Sequence, residues 1–346
     1  MTWLTWRQFR GQFLTALAFL AAVAAFLLYV GYTTRSTYDT NVAGCGAASG
    51  CNLHQVKTQF ISQFSTVVQA PTILLMALPA IIGLFWGTPL ITRELEQNTH
   101  RLVWNQSVTR THWLAVKLAL VGLASVAITG VVSLLLTWAA SRYDSLQGSR
   151  FETLSFSTRN IVPLGYAVFA VALGVTIGLF LRRTVPAMAA TLLAVAILQL
   201  LIPSVARGHL LPPVTESVPY NAQVKEWGGF LAVRVSEPVI VTGYAIPGAL
   251  MLDSEVTMLT ESGETADEST IASCADATGQ GRREAAINGL LDPWETCISK
   301  LNMHIDVSYQ PASRYWAFQW LEFTGFVLLA ALLSAVAFWR IRRVPG

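Results

Sequence analysis

Uncharged stretches long enough to cross a bilayer recur along this chain. A helix rises about 1.5 Å per residue and the hydrocarbon core is about 30 Å thick, so a span needs about 20 mostly apolar residues. Phe13–Tyr32, Pro71–Thr92, Leu118–Ser141, Ile161–Leu181 and Thr184–Ala206 meet that need. Phe323–Trp339 is a sixth stretch, extended upstream by the aromatic segment Tyr315–Leu321. Backbone groups in hydrocarbon must be satisfied within the segment, so these stretches are predicted as helices and not as open strands. Phe13–Tyr32 exceeds the apolar core of a secretory signal, and its small residues Ala22 and Ala24 lie inside it rather than after it. It is expected to persist as the first span.

Composition supports this reading. Hydrophobic residues make up 53% of the 346 and charged residues 12%, with a mean hydropathy of +0.50. A soluble fold of this size needs about twice that charge. Disorder requires low hydrophobicity. The net charge of +3 is too small and too dispersed for a nucleic-acid partner. The predicted fold is therefore an all-α polytopic membrane protein with six transmembrane helices.

Charge also orients the chain. With the N-terminus in the cytoplasm, the inner side holds eleven basic residues, among them Arg93, Arg101, Arg110, Lys117, Arg182 and Arg183, against Glu94 and Glu96. The other side holds twelve basic and seventeen acidic residues, with Glu322 near a boundary. The positive-inside rule favours this arrangement, with both termini cytoplasmic. Arg142, Arg150 and Arg159 run against it, in a short outside loop. The expected divisions are residues 1–12 before the first helix, 13–206 carrying helices one to five, a cytoplasmic loop at 93–117, an outside segment at 207–314, and 315–346 with the last helix and a basic C-terminus. A first outside loop is expected over Thr33–Ala70. The segment 207–314 carries fourteen of the 20 acidic residues and is long enough to fold as a small extracellular domain. Within it, Val239–Leu252 is uncharged and reads as that domain's core, or else as a re-entrant segment. Glu255–Glu268 reads as a solvated loop.

All four cysteines, Cys45, Cys51, Cys274 and Cys297, fall in the two large outside segments. An oxidising compartment permits disulfides, and the sequence-local pairs are Cys45–Cys51 and Cys274–Cys297. Free thiols or a metal site are the alternatives. Metal spacing is absent, since neither pair is C-x-x-C and His54 and His304 complete no array.

Catalytic motifs are absent from the sequence. Gly-Lys never occurs, so the chain has no phosphate-binding P-loop, and neither H-E-x-x-H nor G-x-S-x-G is present. The apolar stretches lack the ionisable residues of a proton relay. The chain is not expected to be an enzyme, and no metal or cofactor is expected to be resident in it.

Gly87–Leu118 mixes charge, amides and aromatics. Leu95, Thr99, Leu102 and Val103 recur at helical spacing, and Glu94 and Glu96 suit a helix N-terminus. Arg93-Glu94-Leu95-Glu96, Thr99, Leu102, Ser107-Val108-Thr109-Arg110 and Lys117 together resemble the first cytoplasmic loop of the permease subunit of ABC-2-type transporters. Asn98 stands where that family usually has Gly. Met1–Arg10 resembles the amphipathic elbow helix of many actinobacterial members, and Tyr309–Trp316 with Gln319 and Glu322 resembles the approach to their last helix. The resemblance spans essentially the whole chain.

It implies a permease in the bacterial plasma membrane, working as a homodimer with two separate ATPase subunits that hold the ATP and Mg. It also implies that the loop docks the ATPase, with Glu94, Glu96, Thr99, Arg101 and Arg110 as coupling residues. Leu95, Leu102 and Val103 would then pack on the bundle. Gly83–Gly87 and Gly174–Gly178 give two G-x-x-x-G spacings suited to close helix approach at an interface. A pathway lined by residues such as Phe85, Trp86 and Gln199 would suit export of a hydrophobic or amphipathic drug, lipid or peptide antibiotic. The rival function is a membrane sensor or immunity protein whose extracellular domain binds a ligand.

The orientation is directly measurable. A cysteine placed at Asn98 is expected to be shielded from an impermeant maleimide added to intact cells. Labelling there from outside would reverse the topology.

Overall fold

The computed structural model describes residues 2–47, 51–97, 109–148, 150–220, 224, 227–232, 238–274 and 297–343. The chain forms two compact units. One comprises residues 1–147, 152–210 and 316–346, and the other 148–151 and 211–315.

The first unit is helical. Its six long helices are α1 (Thr2–Thr37), α2 (Leu53–Ile82), α3 (Arg110–Gln147), α4 (Val162–Leu181), α5 (Thr184–Leu201) and α6 (Tyr315–Arg342). Each contains a stretch long and apolar enough to cross a membrane. The predicted starts of the fourth and fifth stretches, and of the sixth with its aromatic extension from Tyr315, hold to within one residue. The first three do not, because polarity ends an apolar stretch without ending a helix. α1 continues through a π-helical turn to Ala43, and α2 already begins at Leu53, where the Asn52 side chain accepts a hydrogen bond from the Gln55 N–H. Most of the expected loop Thr33–Ala70 is therefore helix. Residues 2–12, expected as a separate elbow, are the first turns of α1. The helical stretch Leu53–Glu96 holds 44 residues, about 66 Å at the helical rise and twice the hydrocarbon thickness. Part of it must stand clear of the bilayer core.

α4 is the central helix. Two thirds of its apolar window is buried, against about a fifth for α1, α5 and α6. Its small residues Gly165, Ala167, Ala170, Gly174 and Gly178 allow neighbours close. It ends at Arg182, whose left-handed backbone (φ 54°) lets its N–H reach the Gly178 carbonyl at 3.0 Å. That conformation makes the tight Arg182–Arg183 turn expected from the sequence.

Buried polar groups at the opposite end of the bundle are paired. Arg207 and Glu322, each 1% exposed, lie 3.1 Å apart. Arg207 also donates to Ser157 at 2.8 Å and stacks over Phe156, while Tyr166 donates to Glu322. Arg159 is held by Asp144 at 2.9 Å, and Arg142 lies 3.7 Å from Asp39. Of the three arginines that offend the charge rule, Arg159 is thus a buried structural partner of an acid, and Arg142 makes only an exposed pair, its side chain 41% and that of Asp39 63% exposed.

The second unit carries an antiparallel sheet of β1 (Val214–Pro219), β2 (Phe230–Ala232), β3 (Ile240–Thr242), β4 (Leu250–Met251), β5 (Glu255–Leu259) and β6 (His304–Gln310). The order is β1-β6-β5-β3-β2, with β4 also on β6. β1 pairs with β6 from Val214↔Tyr309 to Pro219↔His304. Alternate residues Val239, Val241, Val256, Met258, Ile305 and Val307 form the core. Val239–Leu252 is thus the core of a small domain, as the favoured sequence reading had it. Glu255–Glu268 is not simply a solvated loop. Its first five residues are β5, with Val256 and Met258 inside. At its end Asp267 caps a short helix, where hydrogen bonds from Ser269 and Thr270 hold its carboxyl down to about 2.

The cysteines pair locally, Cys45 with Cys51 and Cys274 with Cys297, at Cα separations of 5.5 and 5.7 Å. Loop-closure entropy predicts about 2 kcal/mol for the six-residue separation and about 3 kcal/mol for the 23-residue one. Non-reducing peptide mapping is expected to recover these two links. Cys274→Ser with Cys297→Ser should lower the denaturant midpoint of the full chain more than the Cys45, Cys51 pair of changes does. A Cys45–Cys274 link would overturn the pairing.

Candidate functional site

The candidate site lies where α2 ends. Gly83–Gly87 forms a π-helical turn in which the Thr88 N–H reaches back to the Gly83 carbonyl at 2.9 Å, and the Thr88 hydroxyl reaches the same oxygen at 3.1 Å. Pro89, which has no N–H to offer, then opens a short helix, Pro89–Glu96. Its apolar face, Ile91 and Leu95, packs with Trp113 and Leu114 of α3, Val175 and Leu179 of α4 and Ile341 of α6. Leu95 thus packs on the bundle as the sequence implied.

The two G-x-x-x-G segments meet each other within the chain. A Cβ built on Gly174 would lie 2.8 Å from the Gly83 carbonyl oxygen and 2.9 Å from the Thr88 nitrogen. One on Gly83 would lie 2.9 Å from the Ala170 oxygen, and one on Gly178 2.8 Å from the Thr92 methyl. Backbone therefore sits directly on backbone where the end of α2 crosses α4.

Hydroxyls join this crossing to α5. Thr88 and Thr191 share a hydrogen bond of 3.1 Å, Thr92 donates to the Thr88 carbonyl at 3.1 Å, and Thr184 reaches Thr92 at 3.0 Å. Thr184 also donates to Glu96 Oε2 at 2.6 Å. On the other flank, Lys117 of α3 is buried over the Trp113 ring. It donates to Glu94 Oε1 at 2.5 Å and to the Leu90 carbonyl at 3.0 Å. The short helix is thus bonded to α3 on one side and α5 on the other, and wedged against α4.

The structure places both carboxylates in the last turn of Pro89–Glu96, not at a helix N-terminus as the sequence suggested, because the helix already opens at Pro89; it also separates them. Glu94 is turned inward onto Lys117, with 14% of its side chain exposed, whereas Arg93, Glu96 and Gln97 are exposed. Arg110, half-buried, is the first residue of α3. Thr99 and Arg101, with Leu102 and Val103, lie outside the described residues. Phe85 and Trp86 line an apolar cavity of about 450 Å³ with Phe19, Leu78 and Ile128. Gln199 is not part of it; its side chain donates to the Met76 carbonyl at 3.1 Å. Sequence reasoning missed Lys117, Thr88, Thr184 and Thr191 as site residues. The signal was present in Thr88 and Thr92, two hydroxyls one turn apart in an apolar stretch, and in Lys117 one turn beyond Trp113.

The crossing makes a direct prediction. Gly174→Ala should lower the melting temperature of the purified protein by several degrees, because the methyl meets backbone that cannot yield. Gly122→Ala, with nothing within 4 Å, should leave it unchanged or slightly raised. Equal melting of the two variants would remove the crossing from its central place.

The family described as ABC-2 membrane transporter related matches residues 17–207, from α1 through α5 and across the short helix. No curated protein and no solved structure matches the chain. With the match covering more than half of the 346 residues, the chain belongs to the ABC-2 membrane transporter related family and has the build of a transporter permease, a multi-pass protein of the plasma membrane.

Proposed function

We propose that this chain is the membrane subunit of an ATP-driven exporter and that Pro89–Glu96 is its coupling helix. The observation that carries this reading is the attachment of one short, partly exposed helix to three spanning helices at once. A push on such a helix must move α3, α4 and α5 together. The family is one of transporter permeases, and in this reading the push comes from a separate ATPase subunit that holds ATP and Mg. Arg93, Glu96 and Gln97 meet that subunit, since charge complementarity fixes the register of a docked partner. Family resemblance assigns contact with the ATPase to Thr99, Arg101 and Arg110 as well. Glu94 works from behind, holding the helix to α3 through Lys117.

Two permeases with two ATPases make the working assembly. The N-terminus is cytoplasmic and the sheet unit lies outside. The cargo is hydrophobic or amphipathic, since the cavity beside Phe85 and Trp86 is lined almost entirely by carbon.

Co-purification with a P-loop ATPase, followed by ATP-dependent transport in proteoliposomes, tests this reading. Glu94→Lys with Glu96→Lys is expected to leave the chain inserted while abolishing transport or ATPase binding. Glu94→Lys alone places two ammonium groups together in a buried site. Breaking such a pair costs about 3–5 kcal/mol, and adding Lys117→Glu should restore much of the lost stability. Glu96→Lys should reduce ATPase coupling with little change in melting temperature. A double-Lys variant that binds its ATPase and transports normally would refute the coupling role.

A further inference from the structure

We propose that the cleft between the far end of α1 and the start of α2 binds an uncharged, hydrogen-bonding head group, bearing hydroxyls or amides, on an amphipathic molecule. This rests on the export reading only in treating that molecule as cargo.

The cleft has a volume of about 390 Å³, within the range of small-molecule sites. Its polar wall is made by Thr37, Thr40 and Asn41 from one side and by Gln59 and Gln63 from the other. Gln59 and Gln63 are one helical turn apart and so share a face of α2. The π-helical turn Tyr38–Ala43 continues α1 past its last regular turn and carries Thr40 and Asn41. The side-chain amides of Asn41, Gln59 and Gln63 make no hydrogen bond among the described residues, and all three side chains are exposed.

The frame behind these amides is fixed. The Cys45–Cys51 bond forms part of the wall. Phe60 lies at the base, edge-on to Tyr38 and packed on Phe64, in a core shared with Val30, Val42 and Tyr143. Exposed amides without a protein partner, set beside a packed aromatic base, leave their donors and acceptors open to a ligand.

Charge defines the ligand. Among the described residues none lining the cleft is ionisable, the two cysteines being bonded to each other. Charges on the same part of α1 are engaged elsewhere. Asp39 pairs with Arg142, and Arg35 donates to the Trp138 carbonyl and to Ser141. Asp39, between Thr37 and Thr40, and Lys57, next to Val56, are exposed flanking charges, but neither lines the cleft, so the lining itself offers a charged head no counter-charge. Amide side chains offer both donor and acceptor, the pattern that a sugar hydroxyl or a peptide amide satisfies. The same helix pair, α1 and α2, also carries the apolar cavity lined by Phe19 and Phe85. Along α1 the two linings lie more than about 20 Å apart at the helical rise, so the apolar cavity is a separate space and the cleft takes the head group by itself.

The test uses the full chain in lipid nanodiscs and an alkyl glucoside carrying a photoreactive diazirine on its sugar. Crosslinks are expected at residues 37–63. Excess hexyl glucoside or N-hexanoyl-glycinamide should compete, and which of the two competes better assigns the head as sugar or peptide. Hexyltrimethylammonium and hexyl sulfate should not compete. Losing one neutral hydrogen bond weakens binding about two- to tenfold, so Gln59→Ala with Gln63→Ala should cut site labelling by about tenfold. Cys45→Ser with Cys51→Ser, which frees the wall, should also cut it. The proposal is overturned by labelling spread evenly over lipid-facing helices, by equal competition from charged heads, or by labelling that the Gln variants leave unchanged. None of these readouts needs ATP. Export can therefore fail while the site stands, and the site can fail while export stands.

Discussion

Between helices in a bilayer there is no water to expel, so association must come from close contact and from polar groups that find each other. In this chain both conditions meet at one place, where the end of α2 crosses α4. Gly83 and Gly87 face Gly174 and Ala170 with no room for a methyl between them. The close approach brings the Thr88 hydroxyl to Thr191 of α5. A larger residue at the crossing would push the helices apart and break the hydroxyl chain with them. The π-helical turn serves the same end, because its wider winding sets Thr88 and Pro89 where the short helix can start.

From that crossing the rest of the bundle follows in order of burial. α4 is enclosed, α2 and α3 are partly so, and α1, α5 and α6 present most of their apolar windows outward. Val185, Leu193 and Leu200 on α5 and Leu328 and Leu332 on α6 are among the most exposed large apolar side chains. That is the expected surface of a protein dissolved in lipid. The opposite end of the bundle is held differently, by the buried Arg207–Glu322 pair and its Tyr166 and Ser157 partners. A buried ion pair adds little net stability over apolar packing, but losing one partner is costly. The pair therefore fixes which segments meet: the end of the α5 stretch and the first turns of α6.

The six spans were legible because the bilayer imposes a length and a polarity that sequence displays directly. Their ends were not, since Lys57, Gln59 and Gln63 interrupt hydrophobicity yet extend α2 without strain. The sheet was hidden for another reason. Its strands run from two to seven residues, and β1 pairs with a partner about ninety residues away, so no local pattern could announce it. The cysteine pairs were legible from compartment and proximity. The direction of Glu94 was not. It depends on Lys117, which reads in sequence as a charge at the start of a helix and in the structure lies two turns inside α3, buried on Trp113.

Glu94 shows how a charge count can mislead. Two carboxylates among eleven basic residues look like one acidic feature, yet one is exposed and one is turned inward. The same holds on the other side of the bundle, where Arg142 and Arg159 looked like exceptions to a topological rule. Arg159 is held by Asp144 and also reaches Thr72 of α2, and Arg142 lies over the Tyr38 ring beside an exposed Asp39. Their position follows from pairing between helices, not from topology. By contrast Arg93, Arg182, Arg183 and Arg342 at the other end are exposed. These four exposed arginines lie at the end where α2 passes into the short helix, whereas Arg150, between α3 and α4, is an exposed arginine that pairing does not account for.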